Sequence, residues 1–251
     1  MTDRGVYVYG IVRADHSLPA GCLGVGSPPA VLRLLRSGRL AAAVSPAPEG
    51  LRARRRDLMA HQDVLLALSI SGPVLPMRFG MVANDDAFVR GRLAEDENRC
   101  LETLERLDGR LEMNLKVFPV EESLGELLRE DPQVRRLREA MRRRPGYEER
   151  VRLGEAVANA FHRRAAEAAT QTVRRLTGFA DDTAAGPDIA GCVRNLSFLI
   201  PRSAEDEFRS VAGRCAADCG SRAELRLTGP LPCFSFVPAT DAGQRAPAGS
   251  P

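Results

Sequence analysis

Residues 57–82 read DLMAHQDVLLALSISGPVLPMRFGMV, and the fold turns on how this stretch is read. An amphipathic helix runs into the Gly72-Pro73 break, and an apolar run carrying Pro76 and Arg78 follows. Taken as a strand over 74–81, the run puts Leu75, Met77, Phe79 and Met81 on one face. Val74, Pro76, Arg78 and Gly80 fall on the other, because strand side chains alternate. The first face suits a core. The second carries a permanent charge beside a residue that cannot donate to a ladder, as on an edge strand or a bulge. The pattern is a structural signature and holds no catalytic motif.

Working outward, 6–12 and 41–44 read as strands, with 31–35 as a third and the Gly-Pro segment 21–29 as a loop. Over 54–70, Leu58, His61, Leu65 and Leu68 form one helical stripe. Asn84 caps a helix expected to reach Leu107, where Asp108-Gly109 stops it. A strand follows at 111–118, ended by Pro119. Ser123 with Glu126 makes a capping box for a short helix, and Asp131-Pro132 opens another. The longest helix spans 148–177, with Leu153, Val157, Phe161, Ala165, Ala168, Thr172 and Leu176 on one face. A polar loop at 180–190 leads to a strand at 193–200. Ser203 and Asp206 then start a helix that lines up Phe208, Val211, Cys215 and Cys219. Strands at 225–227 and 234–237 flank a turn at Gly229-Pro230. Strands and helices mix without regular βαβ alternation, which makes the class α+β. The second half is close to a ferredoxin-like split βαβ with a helical insertion. The expected division is an N-terminal α+β domain at 1–109, a modified ferredoxin-like domain with extra helices at 110–238, and a disordered tail at 239–251.

A chain of 251 residues with 44% hydrophobic residues can bury a sizeable core. The net charge of +3 is too small to argue for nucleic acid. No signal-peptide pattern and no apolar run of about 20 residues is visible, so a cytoplasmic protein off the lipid membrane is expected. In that setting the six scattered cysteines are expected to be reduced.

Cys215 and Cys219 share a helical face, but neither a CxxC pair nor a nearby histidine completes a zinc site, and core packing is the expected role. His61 lies on an apolar stripe and reads as a buried, hydrogen-bonded histidine. Gly21-Cys22-Leu23-Gly24-Val25-Gly26 lacks phosphate-loop spacing. Arginine clusters at 54–56, 142–144, 163–164 and 174–175 have Glu139, Glu148, Glu149, Glu155 and Glu167 near enough in sequence to pair. Phe234 and Phe236 flank Ser235 on the last strand, so both point to one face, expected to be the core. Arg78 reads as a buried, paired anchor in preference to a partner contact, since its guanidinium cannot shed its charge.

The stretch AHQDVLLAL…GPVLPMRFGMV resembles the gas vesicle accessory proteins of the GvpF/GvpL family. Four further pieces in the same order resemble it too: GVYVYGIV at 5–12, LEMNLKVF at 111–118, NLSFLIPRSAEDEFRSV at 195–211 and LTGPLPCFSFV at 227–237. The resemblance implies the same two-domain α+β architecture. It also implies a non-enzymatic role, without cofactor or metal, in nucleating or assembling the gas vesicle shell. The implied partners are the hydrophobic shell protein and other accessory proteins, and the implied location is the cytoplasm and the gas vesicle. The family's C-terminal hallmark, Gly-Pro-Trp-Pro-Pro-Tyr before Ser-Phe, departs here at Leu231, Cys233 and Phe234. With Arg78, Leu231 and Phe234, which stand at the family's Trp and Tyr positions and lack their polar tips, are the candidate partner contacts. The alternative is a nucleic-acid-binding or regulatory module on ferredoxin-like domains, drawing on the arginines.

Overall fold

The computed structural model describes residues 5–238, so the tail expected at 239–251 lies outside the described residues. The chain divides into two compact units, one formed by residues up to Arg110 together with those from Pro232 on, the other by Leu111–Leu231. The first boundary falls beside Gly109, whose φ of +68° suits glycine at a helix stop. The segment 232–238, expected in the second domain, clusters with the first unit.

The first unit is built on β1 (Val6–Arg13), β2 (Arg33–Ser37) and β3 (Leu40–Pro46), joined antiparallel in the order β2-β3-β1. Ser37 pairs with Leu40, leaving a two-residue hairpin in which Gly38 takes φ +55°. Leu40 and every residue from Ala41 to Val44 are fully buried, so both faces of β3 are covered. Three consecutive alanines suit that close approach. Helix α1 (Arg55–Ser71) turns Asp57, His61, Val64, Leu65 and Leu68 inward. The expected Leu58 is instead 41% exposed, because the inward stripe is rotated toward Asp57 and Val64. At the far end of α1, the His16 Nε2 approaches the Leu68 carbonyl at 3.1 Å, one of the last-turn carbonyls without an intrahelical donor.

The run 74–81 is not one strand. It gives β4 (Leu75–Pro76) on Gly10 and Ile11, and β5 (Val82–Ala83) on Val6 and Tyr7, with a turn between them. Gly80, at φ +89°, turns the chain there. Burial therefore does not alternate: Val74, Leu75, Pro76 and Met77 are all buried, while Arg78 is exposed. The expectation of a buried, paired Arg78 is overturned, because the residue sits on a turn rather than inside a strand. The long helix expected up to Leu107 is two, α2 (Asp86–Glu95) and α3 (Glu97–Leu107), broken at Asp96. Its cap is Asp85, not Asn84, and accepts the Phe88 N–H at 2.7 Å.

In the second unit, β6 (Arg110–Pro119), β7 (Asp182–Ala185), β8 (Arg194–Pro201) and β9 (Ala223–Leu231) form an antiparallel sheet in the order β7-β8-β6-β9. Leu111, Met113, Leu115 and Val117 of β6 join Phe198 and Ile200 of β8 in one core. Helices α6 (Tyr147–Thr177) and α7 (Glu205–Cys219) cover it with Ala165, Ala168, Leu176, Phe208, Ala212 and Cys219. Helices α4 (Leu124–Glu130) and α5 (Pro132–Arg143) pack on the first half of α6 around Leu127, Val134 and Phe161. Asp131 caps α5 as expected, accepting from Gln133 and Val134 at 2.9 and 3.0 Å. Neither Ser123 nor Ser203 makes a side-chain cap, since both fall in short 3-10 turns; Ser123 donates to Val120 O instead. β7 lies in the expected polar loop. β9 runs through Gly229-Pro230 without turning, and the expected last strand is a 3-10 turn at Phe234–Phe236. Phe236 is buried there and Phe234 is 40% exposed, so the two do not share a face. Among the described residues the molecule is an α+β protein with two antiparallel sheets and seven α-helices.

Candidate functional site

The sequence YVYG places Tyr7 and Tyr9 on the α1 side of β1, both fully buried. A buried phenol needs a hydrogen-bond partner for its hydroxyl. Tyr7 finds His61, with Oη and Nδ1 2.9 Å apart, and the opposite ring nitrogen, Nε2, lies 2.9 Å from the Met77 carbonyl. A carbonyl can only accept, so Nε2 carries the proton and Nδ1 accepts from the Tyr7 O–H. The Tyr7 oxygen in turn accepts the Gly80 N–H at 3.2 Å. Burial lowers the His61 pKa, with the Met77 carbonyl opposing, and raises that of Tyr7. The His61 ring stacks on Tyr9 at 5.6 Å and meets Phe79 edge-on at 5.8 Å.

Tyr9 anchors the glycine-rich loop. Its hydroxyl accepts the Val25 N–H at 2.8 Å and pairs with Ser45 Oγ at 3.0 Å, which donates onward to Pro46 O at 3.2 Å. A Cβ on Gly24 would overlap the Tyr9 hydroxyl and lie 2.9 Å from its Cζ, so glycine is required by this contact. The next glycine, Gly26, at φ +116°, donates to the buried carboxylate of Asp57 at 3.1 Å. Arg56 covers the same carboxylate from outside at 3.1 Å. The loop's amides thus serve an internal tyrosine and aspartate and are not directed at a phosphate. His61 is buried and hydrogen-bonded, as its place on the stripe implies. The roles of Tyr7, Tyr9, Ser45 and Asp57 were not read from the sequence; two tyrosines at i and i+2 on an otherwise apolar central strand were the available signal.

The network's outward product is the turn at 77–81, whose backbone is held from four directions. Met77 N–H donates to Tyr9 O at 2.8 Å, and Val8 N–H to Met81 O at 2.9 Å. His61 holds Met77 O, and Tyr7 holds the Gly80 N–H. Phe79 packs inward on Tyr7 and His61, while Arg78 points to solvent and makes no hydrogen bond or ion pair among the described residues.

The remaining candidates are dispersed. Leu231 is half-buried at the end of β9, and Phe234 lies exposed in its own turn. Cys215 and Cys219 are buried on α7, near Arg175 Nη1 (3.8 Å) and Thr172 Oγ1 (3.9 Å) respectively. Burial raises the Cys219 thiol's pKa. No cluster of three or more metal-ligating side chains occurs among the described residues. Many arginines of the clusters are paired: Arg143 with Glu139, Arg164 with Glu130, Arg175 with Asp218, and Arg163 with Asp131. Glu148 pairs along its own helix with Arg152. No helix among the described residues is long and apolar enough to cross a membrane.

The sequence profile described as "Gas vesicle synthesis protein GvpL/GvpF" matches residues 5–238. The chain is 43% identical to gas vesicle protein F of Streptomyces sp. (strain CB03234), over 92% of this chain and 98% of that protein. It is 34% identical to gas vesicle protein L of the same strain, over 94% of each. Its fold is similar to the crystal structures of GvpF from Anabaena sp. PCC7120 and from Microcystis aeruginosa. The first has a TM-score of 0.76 and 23% identity over 94% of this chain and 98% of that one. The second has a TM-score of 0.73 and 24% identity over 93% and 99%. The chain belongs to the gas vesicle synthesis protein GvpL/GvpF family, as the five ordered segments of its sequence imply.

Proposed function

We propose that this protein is a non-enzymatic assembly factor. In this reading it binds the hydrophobic gas vesicle shell protein, limits its aggregation and assists nucleation of the shell, in the cytoplasm and at the growing vesicle. The observation that carries the reading is family membership over the whole described chain. The structure is compatible with it. A shell subunit before assembly presents apolar surface that must be covered, and such a role calls for an interface rather than an active site. The first unit exposes Val31, Met59, Ile70, Val82 and Phe88, and the buried His61 and its tyrosines are engaged with one another and with backbone. Arg78, Leu231 and Phe234 are the proposed contacts. The second unit's strand order supports a modified ferredoxin-like domain with α4 and α5 as the helical insertion. No cofactor is invoked.

The test is capture of co-expressed shell protein by the tagged chain, paired with a clean gene deletion. Capture is expected to survive raised salt, since apolar contact is not screened, whereas binding to nucleic acid would collapse as counterions return to phosphate. Normal vesicles in the deletion, without a paralogue in the cell, would refute the assembly role.

A further inference from the structure

We propose that the turn at 77–81 is a preorganised contact element in which Arg78 takes a carboxylate of the protein partner. This rests on the assembly reading above.

Three observations converge on it. First, the turn is rigid by construction. Two buried side chains, His61 and Tyr7, bond its backbone at Met77 O and Gly80 N–H. Two strand-type bonds hold Met77 N–H and Met81 O. Phe79 is wedged against the same rings, so the residue between these anchors has little backbone freedom to lose on binding. Second, the side chain presented there is an arginine without a hydrogen bond or ion pair among the described residues, in contrast to Arg33, Arg39 and Arg56 of the same unit, which pair with Asp86, Glu97 and Asp57. The side chains of Arg52, Arg54 and Arg55 are also unpaired but lie outside this pinned turn. A guanidinium offers a planar fork that matches a carboxylate with two parallel hydrogen bonds. Third, Arg78 is the only arginine or lysine between Asp57 and Val89, and the exposed residues that follow it include the apolar Val82 and Phe88. A lone cation on a pinned turn fits a single carboxylate on a protein surface. A polyphosphate backbone would call for several unpaired cations together. Arginine is also enriched among the residues that carry most of the energy at protein interfaces.

The experiment uses the full tagged chain co-expressed with shell protein, as wild type, Arg78→Ala, Arg78→Lys and Arg78→Glu, with Arg144→Ala as an equal loss of exposed charge elsewhere. Arg78→Ala and Arg78→Glu are expected to reduce captured shell protein roughly tenfold or more. Arg78→Lys should recover part of it, since the charge returns without the fork. Arg144→Ala should capture as wild type, and all unfolding midpoints should stay together. Undiminished capture by Arg78→Ala, or an equal loss in Arg144→Ala, overturns the proposal while leaving the assembly reading intact. No capture by the wild type overturns that reading and the proposal with it.

Discussion

Gly24→Ala tests the Tyr9 network most directly. The new methyl carbon would overlap the Tyr9 hydroxyl and crowd Leu32 Cδ2 at 3.2 Å. The ring cannot retreat, because it is fully buried, 4.7 Å from the Tyr7 ring and stacked on His61. Overpacking of this kind costs about 1–3 kcal/mol. Displacing the hydroxyl would also strain its bonds to Val25 N–H and Ser45, and one unsatisfied buried donor costs about 1–3 kcal/mol. A total of about 3 kcal/mol is expected, or roughly 6–12 °C in melting temperature for a chain of this length. Tyr9→Phe alone should cost about 2 kcal/mol, from the two bonds it deletes. The double variant decides the matter. Without the hydroxyl, most of the overlap disappears and only the crowding at Cζ and at Leu32 Cδ2 remains. The double cost should therefore fall short of the sum of the single costs by roughly 1–2 kcal/mol. Denaturant unfolding of the four proteins measures this. A Gly24→Ala protein within about 0.5 kcal/mol of wild type, or strict additivity with Tyr9→Phe, would refute the reasoning.

Two further outcomes follow. The folded His61 pKa is depressed by burial, so as pH falls the unfolded chain takes up its proton first, near pH 6.5. Stability should hold above that pH and decline below it, by at most about 1.4 kcal/mol per unit; the decline should be shallower in His61→Gln, and identical slopes would rule the histidine out. In the native protein under reducing conditions, thiol reagents should reach Cys22 and Cys192, which are half-buried, and reach Cys100, Cys215, Cys219 and Cys233 only on unfolding. Stoichiometric zinc or a disulfide in the purified protein would contradict this.

Much of the architecture was legible because it rests on periodicity and turn chemistry. The α6 stripe, the α1 stripe apart from Leu58, the Asp131-Pro132 start and the strand ended by Pro119 follow from residue spacing and turn chemistry. The failures share a cause. At 74–81 an apolar run was read as a strand, but hydrophobicity there reflects burial on a pinned turn, and only Gly80 hinted at the bend. Gly229-Pro230 looked like a hairpin, yet on an edge strand such as β9 one side of the backbone needs no partner, so a proline is tolerated. Phe234 and Phe236 were paired by a period of two that a 3-10 turn does not have. In the candidate site, His61 was visible through its stripe. Its partners were not, because Tyr7, Ser45 and Asp57 reach it, or its network, across dozens of residues of chain.

The longest helix belongs to two different neighbourhoods. The first half of α6 is buried by α4 and α5 through Ala156, Ala160 and Phe161, and the second half by the sheet through Ala165, Ala168, Ala169 and Leu176. A single rod about 46 Å long thus couples a small satellite cluster to a large core. The small cluster has fewer apolar contacts to lose, so it can open on its own while the large core stays closed. Amide protons along one uninterrupted helix would then exchange in two tiers, with the step near Arg163 and Arg164, where the helix passes from one neighbourhood to the other.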